Sequence, residues 1–109
     1  RQRERQARRD AVLDATRALV AECGFVGTTT KRIAERAELS EATLFWYFKS
    51  KDEIFASLLF EGIAFLHAGV EEIASSDRAV DEKLERLWKF FAKVRLEHPE
   101  YFQMFAYLA

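Results

Sequence analysis

One cysteine, one proline and four glycines are spread over 109 residues, and each scarcity excludes something. A lone cysteine forms neither an internal disulfide framework nor a cysteine-rich zinc site. Cys23 sits among apolar neighbours, so it is expected to be a small core residue, a usage consistent with a reducing cytoplasm. The one proline, Pro99, lies near the end, which leaves long uninterrupted helices open through most of the chain. No run of about 18 consecutive apolar residues occurs, so no membrane span is expected. The basic opening, Arg1 to Arg9, is not followed by an apolar signal core. An opening on arginine rather than methionine implies residues upstream. Chemical groupings are scarce too: there is no Ser/His/Asp set, no glycine loop to cradle phosphate and no metal-ligand spacing. His67 and His98 are far apart and poor in neighbouring ligands. The acids Glu71-Glu72 and Asp81-Glu82 are adjacent, hence about 100° apart on a helix, and do not form a carboxylate pair. No enzyme, metal or cofactor is therefore expected.

What is present is a folding composition, half apolar and 14% aromatic. The net charge of −1 argues against a polyanion partner, but its distribution argues for one. Residues 1–51 hold eleven Lys/Arg against seven Asp/Glu, a balance of +4, and residues 52–109 hold six against eleven, a balance of −5. A basic half joined to an acidic half suggests that one end meets a polyanion and the other has a different task.

The apolar pattern is helical almost throughout, and no stretch alternates as a strand. The expected architecture is all-α with six helices. The first runs from about Arg5 to Cys23 on Val12, Leu13, Leu19 and Val20, and Gly24 stops it. Thr29 caps a short second helix to about Ala37, with Ile33, Ala34 and Ala37 inward. Ser40 caps a third from Glu41 to about Phe48, braced by Leu44 and Phe48. Ser50, with Glu53 three residues on, caps a long fourth whose core face is Ile54, Leu58, Phe65, Leu66, Val70 and Ile73. A fifth, from about Arg78 to Glu97, carries an apolar seam at Val80, Leu84, Leu87, Phe91 and Val94. Pro99 suits the first turn of a sixth.

Two short capped helices across a tight turn make a helix-turn-helix. The second of them must be braced on one face and free on the other to enter a major groove. Glu41, Ala42, Thr43, Trp46 and Tyr47 are left outward. Phe45, Trp46 and Tyr47 cannot all face inward on one helix, so at least one of them is exposed. The runs Thr29-Thr30-Lys31-Arg32-Ile33-Ala34, Ala37-Glu38-Leu39-Ser40 and Ala42-Thr43-Leu44-Phe45-Trp46-Tyr47-Phe48-Lys49-Ser50-Lys51 resemble the signature of the TetR family of transcriptional regulators. Val12-Leu13-Asp14-Ala15 and Gly24-Phe25 match as well, so the resemblance covers residues 8–58. It implies a DNA-binding domain over residues 1–50 and the start of a helical ligand-binding and dimerisation domain over 51–109, in a chain about twice this length. It implies base contacts at Thr43, with Ala42 and Glu41 at the same edge. It implies phosphate contacts at Thr29, Trp46, Tyr47 and Lys51, with Thr30, Lys31 and Arg32 beside them. The Arg-rich arm from Arg3 to Arg9 would add unspecific attraction. The family usually has glycine where Glu38 stands, so Glu38 either takes a positive φ or alters the turn. It usually has tyrosine where Phe45 stands, which removes one hydroxyl from the phosphate contacts.

The implied function is a cytoplasmic, nucleoid-associated repressor that binds a palindromic duplex operator as a homodimer and is released by a small-molecule effector. Phe65, Trp88, Phe91, Phe102 and Phe105 are candidate effector-pocket residues. The alternatives are an activator or ligand-independent regulator, or a helical protein-interaction module using the seam at 80–94.

Overall fold

The computed structural model describes residues 1–109 and is all-α. Its helices are α1 (Gln2–Gly27), α2 (Thr30–Arg36), α3 (Glu41–Tyr47), α4 (Lys51–Ala74), α5 (Val80–Glu97) and α6 (Pro99–Leu108). The expected boundaries hold within two or three residues except at α1. That helix starts three residues earlier and passes through a kink, because Gly24 has φ 74° and ψ 177° and the chain then resumes one further turn. The Thr28 hydroxyl donates to the Gly24 carbonyl at 2.7 Å and closes that turn.

Three hydroxyl caps set the starts of α2, α3 and α4. Thr29 accepts from the Arg32 N–H at 3.2 Å, Ser40 from the Thr43 N–H and Ser50 from the Glu53 N–H, each at 3.1 Å. Glu53 reaches back to accept from the Lys49 N–H at 3.1 Å, one residue before the usual capping-box donor. Between α2 and α3 the Leu39 N–H donates to the Ala34 carbonyl and the Glu38 N–H to the Glu35 carbonyl. This is a Schellman turn, and it places Glu38 at φ 60°, the left-handed position that glycine fills without strain. Of the two readings of Glu38, the positive φ is the one observed. Glu38→Gly should raise stability by about 1 kcal/mol, since a Cβ is disfavoured there by about 1–2 kcal/mol and glycine returns part of that as chain entropy. A rise of a few degrees in melting temperature would show it, and a fall would sink the strain argument.

One buried cluster joins α1 (Val12, Leu13, Ala15, Leu19, Val20), α2 (Ile33, Ala34), Leu44, Phe48, α4 (Ile54, Phe55, Leu58) and Met104 of α6. Tyr107 anchors the far end of α6, stacked on Phe25 at 5.4 Å and edge-on to Phe55 at 5.5 Å. The Arg36 guanidinium donates to both oxygens of Glu22, tying α2 to α1. Those hydrogen bonds, then the charge of Arg36, hold the Glu22 carboxyl below its ordinary range. That contribution is present above the ordinary carboxylate range and is lost as pH falls through the lowered value.

Several expectations are corrected. Cys23 is exposed, because after the Gly24 kink the half-buried Phe25 continues the apolar stripe in its place. On α4, Phe55 is buried and Phe65 is exposed. The α5 seam is fully buried only at Val94 and half-buried at Leu87, while Val80, Leu84 and Phe91 stay open, as does Trp88 beside it. The reason is shape. The radius of gyration is 16.6 Å, where a compact domain of this length has about 13 Å. Helix α4 outruns the core and carries α5 away from it. Although no unbroken apolar run exists, α4 is long and apolar enough by composition to cross a membrane. An apolar helix of that kind also serves as the core helix of a larger body, and here α1, α5 and α6 pack on it.

Candidate nucleic-acid interface

The seven residues of α3 divide cleanly. Leu44 is fully buried, and Phe48, the C-cap, is buried just after it. Glu41, Ala42, Phe45 and Trp46 are exposed, and Thr43 and Tyr47 are half-buried. Trp46 is the most open of the aromatics on this helix, at 67% exposure, whereas Tyr47 packs against the core. Their rings meet edge-on at 5.0 Å. A helix held along one side and bare along the other has the shape that a major groove admits.

Two hydrogen bonds fix the polar groups at its start. The Ser40 hydroxyl donates to the Thr43 hydroxyl oxygen at 2.9 Å, so the rotamer of Thr43 is set and its own O–H stays free to donate outward. The Thr30 hydroxyl donates to the Glu41 carboxylate at 3.2 Å, which links the first turns of α2 and α3. Thr29, Lys31 and Arg32 are exposed at the start of α2, though Arg32 donates to the Gly27 carbonyl at 3.1 Å. Lys51 opens α4 with its ammonium 5.5 Å from the centre of the Phe55 ring.

Sequence reasoning missed what the start of α1 does. It is helical from Gln2, and it runs beside α3. The Arg5 guanidinium lies over Trp46 at 5.5 Å, and Arg9 lies over Phe48 at 4.4 Å while donating to Ser57 at 3.4 Å. Arg9, expected only as unspecific charge, therefore ties α1 to the junction of α3 and α4. The signal was available: Arg1, Arg5 and Arg8 are spaced four and three apart, one helix face.

The candidate effector aromatics are not gathered around a closed space. Phe65, Trp88, Phe91, Phe102 and Phe105 are all exposed, from 38% to 74%. Phe65 touches Phe90 and His98. The large open groove between α4 and α5, about 960 Å³, is lined instead by charged residues such as Glu72, Arg78, Glu85 and Lys89. Within these 109 residues those aromatics, spread over α4, α5 and α6, enclose no pocket.

A family model described as bacterial regulatory proteins, tetR family, matches residues 12–58. The chain is 48% identical over 48 residues to the uncharacterized HTH-type transcriptional regulator YvkB of Bacillus subtilis (strain 168), covering 44% of this chain and 25% of that protein. It is 34% identical over 59 residues to the tetracycline repressor protein class D of Escherichia coli, covering 54% and 27%. Among solved structures, the ketosteroid transcriptional regulator KstR2 of Mycobacterium tuberculosis superposes with a TM-score of 0.79 at 27% identity, covering 91% of this chain and 50% of that one. The chain thus spans about a quarter of these curated relatives and about half of that solved structure.

Proposed function

We propose that this chain, which belongs to the tetR family of bacterial regulatory proteins, reads duplex DNA with the exposed face of α3 and does so as the DNA-binding end of a dimeric, ligand-released repressor in the cytoplasm. The observation that carries the reading is the division of α3, with Leu44 buried at 0% exposure while Glu41, Ala42 and Trp46 lie open beside a half-open Thr43. Residues 1–50 are the reading part in this proposal, and 51–109 begin the regulatory part. Thr43 offers its methyl to a thymine or its free O–H to a base edge, and Glu41, held by Thr30, accepts from cytosine N4. Thr29, Thr30, Lys31, Trp46, Tyr47 and Lys51 hold phosphates around that contact. The relative named as a tetracycline repressor supports repression, and it supports an effector in the complete protein. A ligand acts there only through different affinity for two settings of α4, one of which spaces the two readers to match the operator. Helices or a ligand outside this chain are what the exposed Phe65, Trp88, Phe91, Phe102 and Phe105 would meet.

Selection of bound sites from random DNA tests this. The expected sites are inverted repeats with half-sites about one helical turn apart, 34–36 Å. Thr43→Ala should change the preferred base at one position per half-site by about 1–3 kcal/mol of discrimination. Lys51→Ala should weaken all sites alike and lower the salt slope by about 1. Binding that ignores both substitutions would overturn the residue assignments.

A further inference from the structure

We infer that the first two turns of α1 form a second DNA contact, a row of guanidinium groups that seats backbone phosphates alongside α3. This deepens the proposed function and rests on α3 being the reader.

The charge distribution around α3 makes the case. Helix α3 carries no cation, and its one charged residue is Glu41. An element that enters a groove walled by phosphates therefore draws its positive charge from its neighbours. Many nearby cations are already engaged. Arg36 is paired with Glu22, Arg17 with Asp14 and Glu61, Arg32 with the Gly27 carbonyl, and Arg9 with Phe48 and Ser57. Arg1, Arg5 and Arg8 are exposed and in no ion pair.

Geometry places these three beside α3, where they add to the charge of Lys31 and Lys51. With Glu4, they line an open groove of about 480 Å³ whose other wall is Ala42, Thr43, Trp46 and Tyr47, the exposed side of the reader. The arm is a rod and not a loose tail. Its residues are good helix formers, without glycine or proline, and Gln6 braces Asp10 at 2.9 Å. The contact of Arg5 with the Trp46 ring sets the position of the rod against α3. Along the rod, Arg1 to Arg8 spans about 10 Å, the axial rise of about three phosphate steps on one strand, so the row reaches over enough phosphates for three contacts. Three guanidinium groups thus meet three phosphates with little ordering, since both rows are preformed.

The test is the salt dependence of binding by the 109-residue chain to a labelled random-sequence duplex. Each lost phosphate contact removes about 0.9 from the slope of log affinity against log salt, so Arg1→Gln/Arg5→Gln/Arg8→Gln should lower it by about 2.7. The affinity advantage of the unsubstituted chain over the variant should then shrink about 40-fold between 50 and 200 mM salt. Arg3→Gln, outside the groove, should lower the slope far less, and lysine at positions 1, 5 and 8 should restore most of it. Circular dichroism of each variant checks that the helices persist. A triple variant that keeps the full slope, while Lys51→Ala still lowers it, overturns the phosphate row and leaves α3 as the reader. Binding without salt dependence in the unsubstituted chain overturns both.

Discussion

Phe48→Ala should destabilise the chain by about 3–5 kcal/mol and abolish DNA binding with it. Phe48 has no exposed surface and lies in the buried cluster with Leu44, Ile54 and Ile33. It is the C-cap of α3, in extended backbone at φ −135° and ψ 127°, so its ring holds the exit of α3 as well as filling the core. The Arg9 guanidinium rests on it at 4.4 Å and also reaches Ser57. Removing the ring leaves a cavity, ends that cation–π contact and frees the joint between α3 and α4. A chain of this length has a total stability of only about 5–15 kcal/mol, so the loss is a large share of the whole. Denaturant unfolding followed by circular dichroism measures it. Trp46→Ala is the control, because at 67% exposure it should cost far less. A loss for Phe48→Ala under about 1 kcal/mol would show that the ring is not the keystone of this joint.

Gly24→Ala should cost about 1–3 kcal/mol, although Gly→Ala elsewhere in a helix stabilises. At φ 74° and ψ 177° the backbone occupies a region open essentially to glycine alone. A Cβ built there meets nothing within 4 Å, so the cost is backbone strain and not crowding. The consequence reaches the site. The kink turns Phe25 onto Phe55 at 5.3 Å, and Thr28, buried, hydrogen-bonds the Gly24 carbonyl before Thr29 caps α2. If alanine drives α1 straight, Phe25 leaves the core and the start of α2 shifts. Comparison with Ala21→Gly, at an exposed position of ordinary helix, separates the two effects. Ala21→Gly should cost only the usual propensity difference of up to about 1 kcal/mol. A Gly24→Ala protein as stable as the original would mean that the kink relaxes without strain.

Local chemistry made much of this molecule legible. Thr29, Ser40 and Ser50 each precede a helix in the sequence, and each accepts the N–H that its position predicts. Capping is a matter of three residues, so tertiary context has little room to override it. Leu44 and Phe48 at four-residue spacing gave the inward side of α3, and hence the outward side. The errors came where burial depends on a distant partner. Periodicity showed that α5 has an apolar stripe but not whether anything covers it, and Trp88, the most exposed aromatic there, stands open at 74%. Apolar neighbours pointed Cys23 inward too, since local composition does not register that a glycine kink hands the stripe to Phe25.

The sequence by itself determined that this chain is six helices, that residues 29–51 are a helix-turn-helix, and which face of α3 is free, because caps, turns and short-range spacing act within a few residues. Only the tertiary structure decided that Arg9 is a strut and that Arg1, Arg5 and Arg8 flank α3. It alone showed that Glu41 is held by Thr30 and that the expected pocket aromatics lie open. Those outcomes depend on how α1 crosses α3 and how far α4 carries α5 from the core, and a packing geometry between helices far apart in the chain leaves no mark on the local pattern of either.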